Sequence, residues 1–181
     1  MTANLRKMGL SALLACVAAL CLAQVLNAQT AEWKTYRYAS DGFSASYPSE
    51  PALQKRDVPT DAGSFELRSY VVEDGATALF IGICDYGAKV SGQSPDVSLQ
   101  GAKNGALDNS KSHLVAEKKI TLGTYPGIEF EAESDAAHFV ARIYMVGTTL
   151  YQTLVVYPLN QSYAGTTRFL DSFQLIARTG K

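Results

Sequence analysis

Glu129, Glu131 and Glu133 alternate with Ile128, Phe130 and Ala132 along one short stretch. Paired carboxylates can exchange protons as general acid and base, or flank a glycosidic bond. Such pairs normally face a cleft from separate elements. Alternation with apolar residues instead predicts a single strand with one core face and one solvated acidic face. Arg142 is the candidate cross-strand partner for those acids.

The chain has two histidines, His113 and His138, in different segments. A zinc site commonly takes three or more His, Cys or acidic ligands. There is no His-Glu-x-x-His, no Cys-x-x-Cys and no EF-hand loop. A mixed site of His138 with Glu or Asp is the one metal arrangement left open. Nucleophile elbows of the Gly-x-Ser-x-Gly type and Gly-rich phosphate loops are missing too. Cys84 lies in Leu79-Phe80-Ile81-Gly82-Ile83-Cys84, which predicts a small buried apolar residue. A reactive or dimer-forming thiol is the alternative. Ten tyrosines and Trp33 offer contact surface with a polar tip. Tyr36, Tyr38, Tyr144, Tyr151 and Tyr157 also fall on predicted strands, where tyrosine simply packs well. No catalytic, cofactor-binding or metal-ligating residue is assigned.

These residues need a scaffold, and the pattern along the chain is mostly period two. Trp33–Tyr38 and Phe43–Tyr47 read as strands around a Ser40-Asp41-Gly42 turn, and Pro48 ends the second. Ser64–Glu73 places Phe65, Leu67, Ser69 and Val71 on one face. Glu66, Arg68, Tyr70 and Val72 take the other. Asp74-Gly75 predicts a type I′ hairpin. The return strand, Ala76–Tyr86, is apolar on both faces and therefore central. Ser94-Pro95-Asp96 predicts a capped helix start, with Val97, Leu99, Ala102, Ala106 and Leu107 as its apolar stripe to about Asn109. Gly101 and Gly105 weaken that helix or let it approach a sheet closely. Four further strands follow, Leu114–Leu122, Ile128–Glu133, Phe139–Val146 and Leu150–Tyr157. Gly123-Thr124-Tyr125-Pro126-Gly127 is a turn by composition, and Gly147-Thr148-Thr149 joins the last two strands. A short helix over Tyr163–Ser172 presents Phe169, Leu170 and Phe173 to the core. Seven or eight strands and two helices make an α+β domain, an antiparallel sheet of about 6–8 strands with helical cover.

The N-terminus bears on location. Arg6 and Lys7 precede an apolar run from about Met8 to Leu26, then Asn27-Ala28, the layout of a secretory signal. Residues 1–28 are expected to leave, so that the exported protein starts at Gln29 and residues 29–181 form one domain. Cleavage after Ala23 is an alternative. An uncut membrane anchor is another, as is acylation of Cys16 in Leu13-Leu14-Ala15-Cys16. Membrane contact is expected only in those last two cases. Loss of Arg6 and Lys7 leaves 14 basic and 17 acidic residues, a net of −3. Without clustered Lys and Arg, nucleic-acid binding is disfavoured. One remaining thiol makes no internal disulfide.

The order of motifs also resembles a known group. Asp41-Gly42-Phe43-Ser44-Ala45-Ser46-Tyr47-Pro48 opens the domain, and Arg168-Phe169-Leu170-Asp171-Ser172-Phe173 closes it. With a long hairpin, a helix and four strands between, this is similar to the PsbP-like group over about residues 33–177. That resemblance implies an antiparallel sheet between helices, an αβα sandwich. It also implies a protein that binds and organises partners rather than one that catalyses.

The expectation is a noncatalytic binding or assembly module acting through protein–protein contacts, periplasmic or extracellular, with an unidentified protein partner and no cofactor. Its rivals are an exported hydrolase assembled from separate strands, and a carrier of a small apolar ligand. A pocket holding His138 with two carboxylates, at least one of shifted pKa, favours the hydrolase. A shallow exposed aromatic patch favours the binder. An apolar cavity between sheet and helices favours the carrier.

Overall fold

A computed structural model describes residues 32–60, 63–90 and 92–179. The expected signal, with Cys16 and Cys21, lies outside the described residues. The elements fall within one unit, Trp33–Lys181. They are β1 (Lys34–Tyr38), β2 (Phe43–Tyr47), β3 (Ala52–Thr60), β4 (Gly63–Asp74), β5 (Thr77–Asp85), a 3-10 turn (Gly87–Val90), α1 (Pro95–Ser110), β6 (His113–Leu122), β7 (Tyr125–Glu133), β8 (Ala137–Val146), β9 (Thr149–Pro158), α2 (Thr166–Ser172) and β10 (Gln174–Leu175). The strands form a seven-stranded sheet, β3-β4-β5-β9-β8-β7-β6, and a three-stranded sheet, β1-β2-β10. Every pairing is antiparallel. The expected α+β class holds, with ten strands among the described residues rather than seven or eight.

The large sheet is covered on both faces, so the core is double. One face meets the small sheet and α2. There Phe43, Tyr47, Leu79, Ile81, Ile83 and Phe169 are fully buried. The other face meets α1 through Phe65, Leu67, Leu99, Ile128, Phe130 and Ile143. This is why β5 is apolar throughout: its alternate residues feed both cores. Burying each such side chain contributes roughly 1.5–3 kcal/mol.

Three hairpins share one device. Gly75-Ala76, Gly123-Thr124 and Gly147-Thr148 are two-residue loops, closed by the pairs Asp74↔Thr77, Leu122↔Tyr125 and Val146↔Thr149. Their glycines have φ of 62°, 61° and 61°. Only the first loop residue is left-handed, as in a type II′ turn, so the expected type I′ turn at Asp74-Gly75 is corrected. The expected five-residue turn at 123–127 shrinks to its first two residues. Tyr125, Pro126 and Gly127 belong to β7. Pro126 is accommodated because pairing with β8 begins only at Gly127.

Other expectations change as well. β3 was not anticipated: it is an edge strand exposed along most of its length, so no alternation marks it. Val97 is 60% exposed and drops out of the apolar stripe of α1, whereas Lys103 is 7% exposed. The Lys103 stem packs inward while its Nζ donates to Glu117 on β6. Ser94 occupies the N-cap position without a side-chain capping bond. A Cβ at Gly101 or Gly105 would meet nothing within 4 Å, so neither glycine mediates close helix–sheet approach. Phe173 follows α2 rather than ending inside it, and it leads into β10 on the edge of β2.

Candidate functional site

The three glutamates do come from one strand, β7, but their face is not simply solvated. Register places His113, Glu133, His138 and Tyr157 in one row across β6, β7, β8 and β9. The parallel row is Lys118, Glu129, Arg142 and Thr153. The two histidines that the sequence keeps 25 residues apart thus flank Glu133, a juxtaposition visible only once register is known. This face is the one that bears the small sheet nearer the middle of the large sheet. At the β7–β8 side it is roofed instead by α2 and the loop before it, enclosing a cleft of about 320 Å³. Its floor is Glu129, Glu131, His138 and Arg142, and its wall carries the hydroxyls of Ser162, Thr166 and Thr167.

Charge pairing sets the chemistry there. Arg142 Nε donates to Glu129 Oε2 at 2.6 Å, and Nη1 donates to Asp171 Oδ1 of α2 at 2.7 Å. Lys118 Nζ lies 2.6 Å from Glu129 Oε1. Burial alone would raise the Glu129 carboxyl, but bonds from Lys118 and Arg142 outweigh it and hold it below its ordinary value. The expected partnership of Arg142 with this face is present, and it also clamps α2. The expectation of a wholly solvated face is corrected at Glu129, whose side chain is 16% exposed. Its carboxylate is covered because α2 brings Asp171 and Arg142 together above β7. Glu131 and Glu133 are wetter, at 46% and 34%. His138 is 14% exposed, with Nδ1 3.1 Å from Glu133 Oε1 and Nε2 3.6 Å from Glu131 Oε2. Its ring stacks on Tyr157 at 5.1 Å.

This cleft therefore holds His138 with two carboxylates, and one of them is shifted. The shift is downward. It is the mark of an ion-paired acceptor kept charged, whereas a general acid needs a raised value. No group of three or more His, Cys, Asp or Glu among the described residues is arranged to hold a metal ion.

Cys84 projects into the α1 face of the sheet, opposite to His138, and is 7% exposed. Burial pushes its thiol up to about 11, so it is protonated near neutral pH. The tyrosines distribute as strand packing requires: Tyr144 and Tyr151 are buried, and Tyr36, Tyr38 and Tyr157 are partly buried against the same core. Among the described residues, Tyr125 is the only aromatic with large exposure, at 38%. An exposed aromatic patch is not what this fold presents.

A second cleft, of about 700 Å³, lies at the β3–β5 end of the large sheet. Asp41, read from sequence as a turn residue, is 6% exposed here. Its carboxylate accepts from Arg68 Nε at 2.7 Å and Tyr70 Oη at 2.6 Å. Tyr151 Oη donates to the Asp41 carbonyl at 2.8 Å. The C-terminal segment crosses this end, with Ile176 N donating to Gly42 O and Thr179 N to Ala39 O. It brings Arg178 over Gly42, where a Cβ would lie 2.7 Å from Arg178 Cγ. The meeting of Asp41, Arg68 and Arg178 carried no sequence signal, since the contacts Arg68–Asp41 and Arg178–Tyr151 each span 27 residues.

No protein-family model matches the chain, and no curated protein sequence matches it. A Pseudomonas aeruginosa protein of unknown function aligns over 69% of this chain and 82% of its own, with 10% identity and a TM-score of 0.35, too low to bear on the fold. The solution structure of cyanobacterial PsbP from Synechocystis aligns over 82% of this chain and 95% of its own, with a TM-score of 0.55. Identity is 12%, so the likeness is one of architecture, and it matches what the end motifs imply: the fold of this chain is PsbP-like.

Proposed function

We propose that this chain is a noncatalytic binding or assembly module that works outside the cytoplasm through contacts with a protein partner. The observation that carries the reading is how the reactive groups are engaged. Glu129 is tied to Arg142 and Lys118, while His138 lies between Glu131 and Glu133. The one described thiol sits on the other side of the sheet from the histidine. Groups arranged this way hold the roof on the sheet and present charge. They do not align a nucleophile with a base. The Arg6-Lys7 start and the apolar run after it support export.

The hydrolase is kept as a second reading, because the smaller cleft combines His138, Glu131 and a hydroxyl wall. The carrier is not supported by either cleft, since both are edged by charged side chains. The test has two arms. Cross-linking in the exported fraction, followed by a binding measurement with the purified partner, is expected to give a saturable complex. A panel of ester, glycoside and peptide substrates is expected to give no turnover that depends on His138. Turnover abolished by His138→Ala would overturn the proposal in favour of the hydrolase.

A further inference from the structure

The seven-stranded sheet has two edges, β3 and β6. An edge strand offers unpaired N–H and C=O groups to another extended segment. β3 is the poorer template, because Pro59 lies within it and has no N–H to give. β6 has ten residues, no proline, and is exposed along most of its length. Its pairing with β7 shows which backbone groups are free. Leu122↔Tyr125 closes a two-residue loop and is therefore a hydrogen-bonded pair. Such pairs alternate, so Ile120, Lys118 and Ala116 bond to β7. Thr121, Lys119 and Glu117 turn their N–H and C=O to the open side.

The side chains along this edge complement themselves. Two antiparallel copies of β6 with Lys118 on the two-fold axis set Glu117 opposite Lys119 of the second copy, and Lys119 opposite its Glu117. All four are outward residues, so each pair exchanges two backbone bonds and also joins opposite charges. A shift of two residues sets Glu117 against Glu117, or Lys119 against Lys119. A shift of one residue brings opposite faces together. Glu117 is already held in position, accepting from Lys103 Nζ and from Gln100 Nε2 on α1. Its carboxylate keeps lone pairs for a further donor. The Lys119 side chain is 79% exposed, with Asp96 at 3.2 Å. Lys118 meets its copy at the axis, where each ammonium is neutralised by its own Glu129 at 2.6 Å.

Beyond this charged centre the edge is apolar. Ala116 falls opposite Ile120 of the second copy. Leu114 and Val115, 40% and 49% exposed, come beside its Thr121 and Leu122. Tyr125, 38% exposed, pairs with Leu122 one strand further in. The bulge between Leu114 and Ala116 ends the regular ladder there. The helices do not obstruct the approach. β7 and its copy would stand three strand spacings apart, roughly 14 Å. α1 sits over β7 and β8, so the two α1 helices clear one another.

We propose that β6 is the docking edge for a second copy of this chain, the two strands pairing antiparallel about Lys118 to make one continuous sheet. This surface goes beyond the assembly reading and uses none of the residues that line either cleft.

The test is sedimentation analysis of the full-length chain over a range of concentrations. The interface is narrow, so the expected result is a reversible dimer populated at micromolar concentrations and above. Lys119→Glu turns two attractions into two repulsions and should weaken the dimer by about tenfold or more, with the melting temperature of the monomer kept. Glu117→Lys should do the same, and an equimolar mixture of the two variants should restore the dimer, because Glu then faces Lys at both pairs. Register has its own test, which also serves if Glu117→Lys loses the fold along with its Lys103 contact. Lys118→Cys places two thiols at a non-hydrogen-bonded pair, with Cα atoms about 4.5 Å apart, within disulfide reach. It should cross-link under mild oxidation, whereas Lys119→Cys and the wild-type chain should not. A chain that stays monomeric into the millimolar range overturns the proposal. So does a dimer indifferent to Lys119→Glu, which would belong to another surface, or a Lys118→Cys variant that fails to cross-link. These outcomes are independent of whether a different protein partner is found.

Discussion

Glu129 carries more of the fold than its neighbours on β7. Lys118 and Arg142 both reach it, and Arg142 passes the connection on to Asp171 of α2. Among the described residues, Glu131 and Glu133 pair only with His138, at 3.6 and 3.1 Å, and they are wetter than Glu129. Glu129→Gln is therefore expected to cost about 1–3 kcal/mol, the range for charge-assisted hydrogen bonds. Glu131→Gln and Glu133→Gln should each stay below about 1 kcal/mol. Urea unfolding of the three variants measures the difference, and equal costs would contradict the ranking. The pH dependence has a definite sign. The folded Glu129 value is depressed, so its contribution is fully present above the ordinary 4.5. It disappears as pH falls below that value and the folded group is protonated. Wild type should thus lose stability over that acid range more steeply than Glu129→Gln.

At the level of elements, the same residue type plays opposite parts. Gly147 holds φ of 61° in the β8–β9 hairpin, whereas Gly101 and Gly105 lie inside α1 with open space around them. Gly147→Ala must force a side chain into the left-handed region, at about 1–2 kcal/mol. Gly101→Ala and Gly105→Ala should each stabilise by about 0.5–1 kcal/mol, because alanine loses less backbone freedom in a helix. Melting curves should therefore shift in opposite directions. The end of the chain gives a second test. Phe173 is 4% exposed and meets the rings of Phe43, Tyr144 and Tyr151 at 5.7–6.0 Å. Phe173→Ala should cost about 3–5 kcal/mol and loosen both α2 and β10. A variant that melts like wild type would mean that Phe173 is not a core residue in solution.

At the largest scale, the described residues form a seven-stranded sheet with two differently built covers. Seven strands supply both floors; α1 closes one, while β1, β2, β10 and α2 close the other. Both clefts arise where the second cover stops short of the sheet's sides. All described contacts of this architecture lie within Trp33–Lys181. Residues 29–181 alone should therefore unfold in a single cooperative transition by circular dichroism and tryptophan fluorescence. Non-coincident transitions would contradict a single cooperative unit.

Much of this was legible in the residues alone, and for local reasons. Phe43–Tyr47, the β4–β5 hairpin, the start of α1 at Pro95 and the inward Phe169 and Leu170 follow from periodicity and turn chemistry within a few residues. The buried state of Cys84 follows from its apolar strand in the same way. What stayed hidden depends on partners far along the chain. β3 reads as featureless because it lies at an edge with little burial, and β10 is two residues long. Lys103 rather than Val97 turns inward on α1 because Glu117 of β6 is there to receive its ammonium. The row of His113, Glu133 and His138 exists only because antiparallel register aligns three strands, and a one-residue slip would scatter it to opposite faces. Arg68 finds Asp41 only because β2 and β10 form a separate sheet laid over the first. Alternation along the chain thus determined which segments are strands, while register and the stacking of two sheets decided which charges meet.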